Sequence, residues 1–397
     1  MMLKEEINKI IIDQKKNIEA QETGIIREDL KETTITPNFV LIISGVRRCG
    51  KSVFLNQLKN KQEKCAYFNF EDTRLNNFNV DDFSKLEEQL TEIYNNPKTY
   101  FFDEIQNIKK WEIFIRQLQD KKKQIIITGS NASLLSKELG TRLTGRHLNK
   151  ELFPFSFKEF KTLKKETIEK YLIAGGFPEY LKQENDQILQ ELLNNIIYRD
   201  IIVRHNIKDT KTIKDLTTYL LSNIGKEYSY NSLKKLFGVG SINTIINYIS
   251  YLEDSYILFS INQFDYSYKK QIKQPKKIYA IDNGLITTNT VSLSKDLGRL
   301  LENLVFINLR KKYKNIYYYK KETNECDFII KEKEKITTAI QVCYKLTPEN
   351  KEREINGLLK ALEFFKIDTG TIITYNQEEK IKINTKTIEV VPIEKFI

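Results

Sequence analysis

A chain of 397 residues has the length for two or three domains, each able to bury a core of its own. Its 64 basic residues outnumber its 53 acidic ones for a net charge of +11, which permits an anionic partner but is spread too thinly to name one. Nowhere do about eighteen apolar residues run together, and Lys4, Glu5, Glu6 and Lys9 interrupt the N-terminus; a membrane span and a signal peptide are therefore excluded from the expectations. Cys49, Cys65, Cys326 and Cys343 follow neither zinc nor disulfide spacing, so reduced thiols and a cytoplasmic location are expected.

The first predicted strand, Phe39 to Ile43, runs into Gly45-Val46-Arg47-Arg48-Cys49-Gly50-Lys51-Ser52, and a helix is predicted from Val53 to Leu58. This octapeptide satisfies G-x-x-x-x-G-K-[ST], and a strand before it and a helix after it supply the context a phosphate-binding loop needs. The glycines let backbone amides approach phosphates, Lys51 is placed to reach the terminal phosphates, and the Ser52 hydroxyl to ligate magnesium. Residues Gly45 to Val53 are therefore the expected nucleotide-binding segment, with ATP and Mg2+ as ligands.

β-rich runs then alternate with helical patterns, the signature of a parallel sheet with crossover helices. Cys65 to Phe70 reads as a strand, Asp82 to Tyr94 as a helix, and Thr99 to Phe102 as a strand ending in Asp103-Glu104. Carboxylates at the end of a buried strand suit magnesium-assisted phosphoryl transfer: Asp103 to hold the ion through water, Glu104 to orient and deprotonate the attacking water. A further strand, Gln124 to Thr128, leads to Asn131, expected to touch the γ-phosphate or the lytic water while capping the next helix. Arg146 first and Arg142 second are the candidates to neutralise charge on the transferring phosphate, in cis or from a neighbouring subunit.

The succession GVRRCGKS, YFNFEDTRL, YFFDEIQNIKKW, TGSNASLL and LTGRHLNKELFPFSFKEF resembles the AAA-type ATPase domain of a prokaryotic "ATP-binding protein" family. That resemblance covers most of the chain and implies an uncharacterised C-terminal domain of restriction-endonuclease-like fold. It also implies Asp103 and Glu104 as the acidic pair, Asn131 as the polar sensor, and an arginine after the sensor helix, where Arg146 stands.

From 158 to 209 the pattern is helical, broken at Gly175-Gly176-Phe177-Pro178, and a lid beside bound nucleotide is expected. Residues 210–277 have a different grammar: a helix, a short helix capped by Ser229, a turn at Gly238-Val239-Gly240, a longer helix capped by Ser241, and an extended run from Tyr256 to Ile261. This is the layout of a winged helix, with Asn243, Thr244 and Asn247 facing a groove and Lys234 and Lys235 near phosphates. The cluster Lys269, Lys270, Lys273, Lys276 and Lys277 reads either as a basic wing or as a solvated linker.

Residues 278–397 return to α/β: a helix from Asp296 to Lys312, strands at 315–319, 326–330 and 338–344, a helix at 350–365 and a strand at 370–375. The order resembles the PD-(D/E)xK nuclease core, whose metal-site positions fall on Glu302, Asp327 and Gln341. Cys343 stands at the lysine position, and Lys345, about seven ångströms along the same strand face, is the expected substitute. An amide at Gln341 weakens the hold on a hard cation, so packing or binding is expected ahead of cleavage.

The expected whole is an α/β protein: an AAA-type P-loop NTPase parallel sheet over 1–157, a helical lid over 158–209, a winged-helix domain over 210–277 and a PD-(D/E)xK-like domain over 278–397. Its expected activity is slow ATP hydrolysis driving a switch or motor on a macromolecule, with DNA, a homo-oligomer or a partner protein as candidate partners. The alternatives are an ATP-gated DNA nuclease and a DNA-binding regulator or scaffold.

Overall fold

The computed structural model describes residues 1–130, 145–290 and 296–397. The chain divides into two units, Met1–Leu163 with Asp254–Tyr256, and Lys164–Glu253 with Ile257–Ile397.

The first unit is built on five parallel strands: β1 (Val40–Ser44), β2 (Cys65–Asn69), β3 (Thr99–Asp103), β4 (Gln124–Gly129) and β5 (His147–Glu151), in the order β2-β3-β4-β1-β5. β1 and β3 are buried along their whole length, as strands covered on both faces must be, which explains their continuous apolar runs. Phe83 stacks on Phe114 with centroids 4.5 Å apart, and Phe70, Phe78 and Phe102 close the same aromatic cluster. The N-terminal helix, Lys4–Ala20, buries Ile7, Ile10, Ile11 and Ile18 on one stripe. Its Gln14 completes the edge strand β2, donating to Asn69 O at 3.0 Å and accepting from Asn69 N at 2.8 Å.

The second unit carries a nine-stranded mixed sheet. Its strands are β6 (Glu227–Tyr228), β7 (Leu258–Gln263), β8 (Lys276–Ala280), β9 (Ile316–Lys321), β10 (Asn324–Glu332), β11 (Lys335–Val342), β12 (Thr369–Thr374), β13 (Glu379–Ile383) and β14 (Lys386–Pro392). They lie in the order β13-β14-β12-β11-β10-β9-β7-β8-β6. The helices Thr210–Ser222, Tyr230–Leu236 and Ile242–Asp254 precede β7, and Ser229 caps the middle one, accepting from Ser232 N at 3.1 Å.

The division at 277/278 falls inside β8, and β7 pairs in parallel with β9 at Asn262↔Tyr317, so one sheet runs through both expected domains. Within the segment 158–209 the chain passes from the first unit to the second after Leu163. Its Gly-Gly-Phe-Pro turn is fastened inside the second unit, where the Gly176 amide donates to Asp282 Oδ2 at 2.6 Å. In the basic segment a short helix, Tyr268–Lys273, lies between β7 and β8.

Candidate nucleotide site and the carboxylate centre of the second unit

The phosphate-loop segment leaves the C-terminal end of β1 and enters the helix Lys51–Lys59. A Cβ at Gly45 would stand 2.2 Å from Leu152 O, and Gly50 has φ 100°, so neither position tolerates a side chain without the loop moving. Lys51 is buried and its ammonium donates to Gly45 O and Val46 O, both at 3.2 Å, while Glu104 Oε1 lies 3.6 Å away. Burial alone would lower the Lys51 pKa, but Glu104, Cys49 and Asp103 outweigh it and the pKa is raised. The side chain is therefore a fixed cation at the mouth of the loop.

Asp103 ends β3, buried, with its carboxyl pKa raised first by desolvation and then by Glu104. The Ser52 hydroxyl hydrogen-bonds it from the loop side, and the Thr128 hydroxyl, from β4, donates to Asp103 Oδ1. Thr128 Oγ1 also accepts from the Glu104 amide at 2.9 Å, holding Glu104 in a left-handed conformation with φ 49°. Gln106 donates to Glu104 Oε2, and Tyr67 to Asp103 Oδ2 at 3.4 Å. Lys51, Ser52, Asp103 and Glu104 are thus gathered at one edge of the sheet. A hydroxyl and a carboxylate side by side are the oxygen donors that magnesium prefers.

Arg27, which carries no sequence signal, supports this loop from beneath. Its guanidinium is buried and makes three hydrogen bonds, to Glu159 Oε1 at 2.8 Å, Cys49 O at 2.9 Å and Phe153 O at 2.7 Å. No motif marks it, because its partners lie 22, 126 and 132 residues away. Cys49 packs as a buried thiol against Leu152 O at 3.4 Å, its pKa raised by burial. Within the same unit the Tyr256 hydroxyl donates to Ser44 Oγ at 2.7 Å, one residue before Gly45.

The remaining residues expected at this site are distributed differently. Asn131 and Arg142 lie outside the described residues. Arg146 is exposed, and its carbonyl accepts from Val40 N at 3.1 Å, at the start of β1. The phosphate loop leaves the other end of that five-residue strand, roughly 17 Å off, so Arg146 does not join the loop of its own chain.

In the second unit Glu302, Asp327 and Gln341 do come together. Lys345 does not join them: it is exposed, its carbonyl accepts from Asn350 Nδ2 at 2.9 Å, and no ion pair or hydrogen bond among the described residues takes its ammonium to the cluster. The cation that does is Lys277, expected in the basic segment but buried at 3% exposure. Its ammonium lies 2.5 Å from Glu325 Oε1, 2.9 Å from Asp327 Oδ1 and 3.4 Å from Glu302 Oε1. Burial pushes the Glu302 carboxyl up to about 7, against the pull of Lys277.

Comparison with known proteins places these features in a lineage. "Uncharacterized protein MJ1544" of Methanocaldococcus jannaschii is 40% identical across 98% of this chain and 94% of its own length. The chain belongs to its family. An uncharacterized protein of Haemophilus influenzae is 30% identical over 86% of this chain and 91% of its own. Three family descriptions match in series: "AAA domain" over residues 37–161, and two domains of unknown function, DUF8612 over 165–295 and DUF4143 over 297–396. The AAA match spans the five-stranded parallel sheet and its phosphate loop, so the first unit is an AAA domain. Among solved structures, AMPPCP-bound DnaA from Aquifex aeolicus covers 57% of this chain and 85% of its own at 15% identity and a TM-score of 0.29, a slight likeness only. No helix among the described residues is long and apolar enough to cross a membrane.

Proposed function

We propose that this protein binds ATP with magnesium at Gly45–Val53, hydrolyses it, and uses the cycle as an AAA-type switch or motor on a macromolecule. The observation that carries the reading is the convergence of Lys51, Ser52, Asp103 and Glu104, cross-braced by Thr128, at the mouth of the loop. Loop amides and the Lys51 ammonium would bind the phosphates, and Glu104 would orient water and accept its proton. Magnesium, held by Ser52 and through water by Asp103, would supply charge neutralisation at the phosphate oxygens. Arg146, at the far end of the sheet, suits action on a neighbouring subunit's nucleotide, which implies a homo-oligomer in the working state. The test is calorimetry and turnover on Glu104→Gln and Lys51→Ala. The first should bind ATP and fail to hydrolyse it, and the second should lose affinity; equal hydrolysis by Glu104→Gln and wild type refutes the assignment of the base.

DNA is the candidate macromolecule. Three helices followed by β7 and β8, with β6 against β8, give the order of a winged helix, and Asn243, Asn247 and Lys235 are exposed while Thr244 is half-buried. Binding that falls steeply with salt, together with a preferred sequence, would favour a DNA-binding regulator or scaffold; binding without salt dependence would remove DNA from the reading. The ATP-gated nuclease is the weaker alternative, because a lysine already engages its carboxylates.

A further inference from the structure

The carboxylate centre of the second unit already holds a cation from its own chain. Lys277 comes from β8, Glu325 and Asp327 from β10, Gln341 from β11, and Glu302 from the helix Leu297–Lys312. An ammonium has three protons, and here three carboxylate oxygens surround it at 2.5, 2.9 and 3.4 Å. Further hydrogen bonds fasten the cluster. Asp327 Oδ2 accepts from Val342 N at 2.9 Å, and Glu302 Oε1 accepts from Tyr279 at 2.7 Å. Gln341 Oε1 accepts from Asp327 N at 3.2 Å, while its amide nitrogen donates to Glu354 Oε2 at 2.7 Å. The centre is also roofed: a Cβ at Gly225 would stand 2.9 Å from Glu302 Oε2.

We propose that the Lys277 ammonium occupies the position a divalent cation would take between Glu302, Glu325 and Asp327, so that this centre works without metal and does not cleave phosphodiesters. A cation at that point meets the ammonium's charge at contact distance, and a scissile phosphate needs access that 3% exposure at Lys277 denies. Buried carboxylates without a counter-ion are costly, so the lysine serves as an internal cross-brace joining two strands and a helix. Take the ammonium away and the same three oxygens, all of the hard type that manganese and magnesium prefer, converge on an open position. The lysine both fills the centre and conceals a divalent-cation site.

The experiment is manganese titration of the full chain, without nucleotide, followed by electron paramagnetic resonance. Lys277→Ala should bind one equivalent more than wild type, and the double change Lys277→Ala with Asp327→Asn should lose it. The phosphate loop is common to all arms and cancels. Lys277→Arg, which keeps the charge, should match wild type. A folded Lys277→Ala protein that gains no equivalent overturns the proposal. So does a manganese peak beside Asp327 in anomalous maps from wild-type crystals soaked in the metal, a result that needs no variant to fold.

Discussion

Thr128 shows how much one hydroxyl can carry. It donates to Asp103 and accepts from the Glu104 amide, so Thr128→Val, nearly the same shape, leaves a half-buried amide and a buried carboxylate each short of a partner. That should cost about 1–3 kcal/mol of stability in urea titrations. Turnover should fall further than ATP affinity, because the Glu104 backbone, at φ 49°, loses its tether while the loop amides stay in place. Arg27 is a second such residue. Arg27→Ala strands Glu159, whose side chain is 3% exposed, without its counter-ion, and should destabilise the first unit by about 3–5 kcal/mol, read by thermal or urea unfolding. The loop residues were legible because their pattern is contiguous; Thr128 and Arg27 were not, since nothing local distinguishes a threonine on a buried strand or an arginine before one.

At the scale of elements, the alternation of β-rich and helical runs gave β1 to β4 within a residue or so of their bounds, and the capped helix at Tyr230 as well. It missed β5, whose residues His147–Glu151 are mostly polar and half-buried or exposed, as an edge strand allows. The Gly-Gly-Phe-Pro turn is fastened by Asp282, a partner that no local pattern names. That carboxyl accepts from Gly176 N and Gly284 N, yet desolvation dominates and pushes its pKa up to about 6. An acid with a raised folded pKa favours the folded state fully below its unfolded value near 3.8, and the benefit is lost as pH climbs through about 6. Stability of the second unit should therefore drop by about 3 kcal/mol between pH 3.5 and pH 7 from this group, on the order expected for such a shift. Urea midpoints across that range check it, and Asp282→Asn should flatten this part of the profile.

For the molecule as a whole, the placement of Arg146 makes a prediction about assembly. If it acts on a neighbour, Arg146→Ala and Glu104→Gln should each be inactive alone and recover turnover when mixed, as one supplies the arginine and the other the base. Recovery absent from a mixture shown by mass determination to co-assemble would remove Arg146 from the mechanism. The sequence by itself marked the phosphate loop of the AAA domain: eight adjoining residues carry its pattern, and the end of a strand carries the acidic pair. Only tertiary structure decided the second unit. Lys277 lies 25 residues from Glu302 and 50 from Asp327, and β7 and β9 stand between its strand and β10 in the sheet. Its register against Ile261 and Glu227 turns it inward, and a shift of one residue would send it to the opposite face. A lysine-rich stretch reads as solvent-facing from composition alone; which of its lysines is buried is fixed by strand pairing, and pairing is a property of the folded sheet.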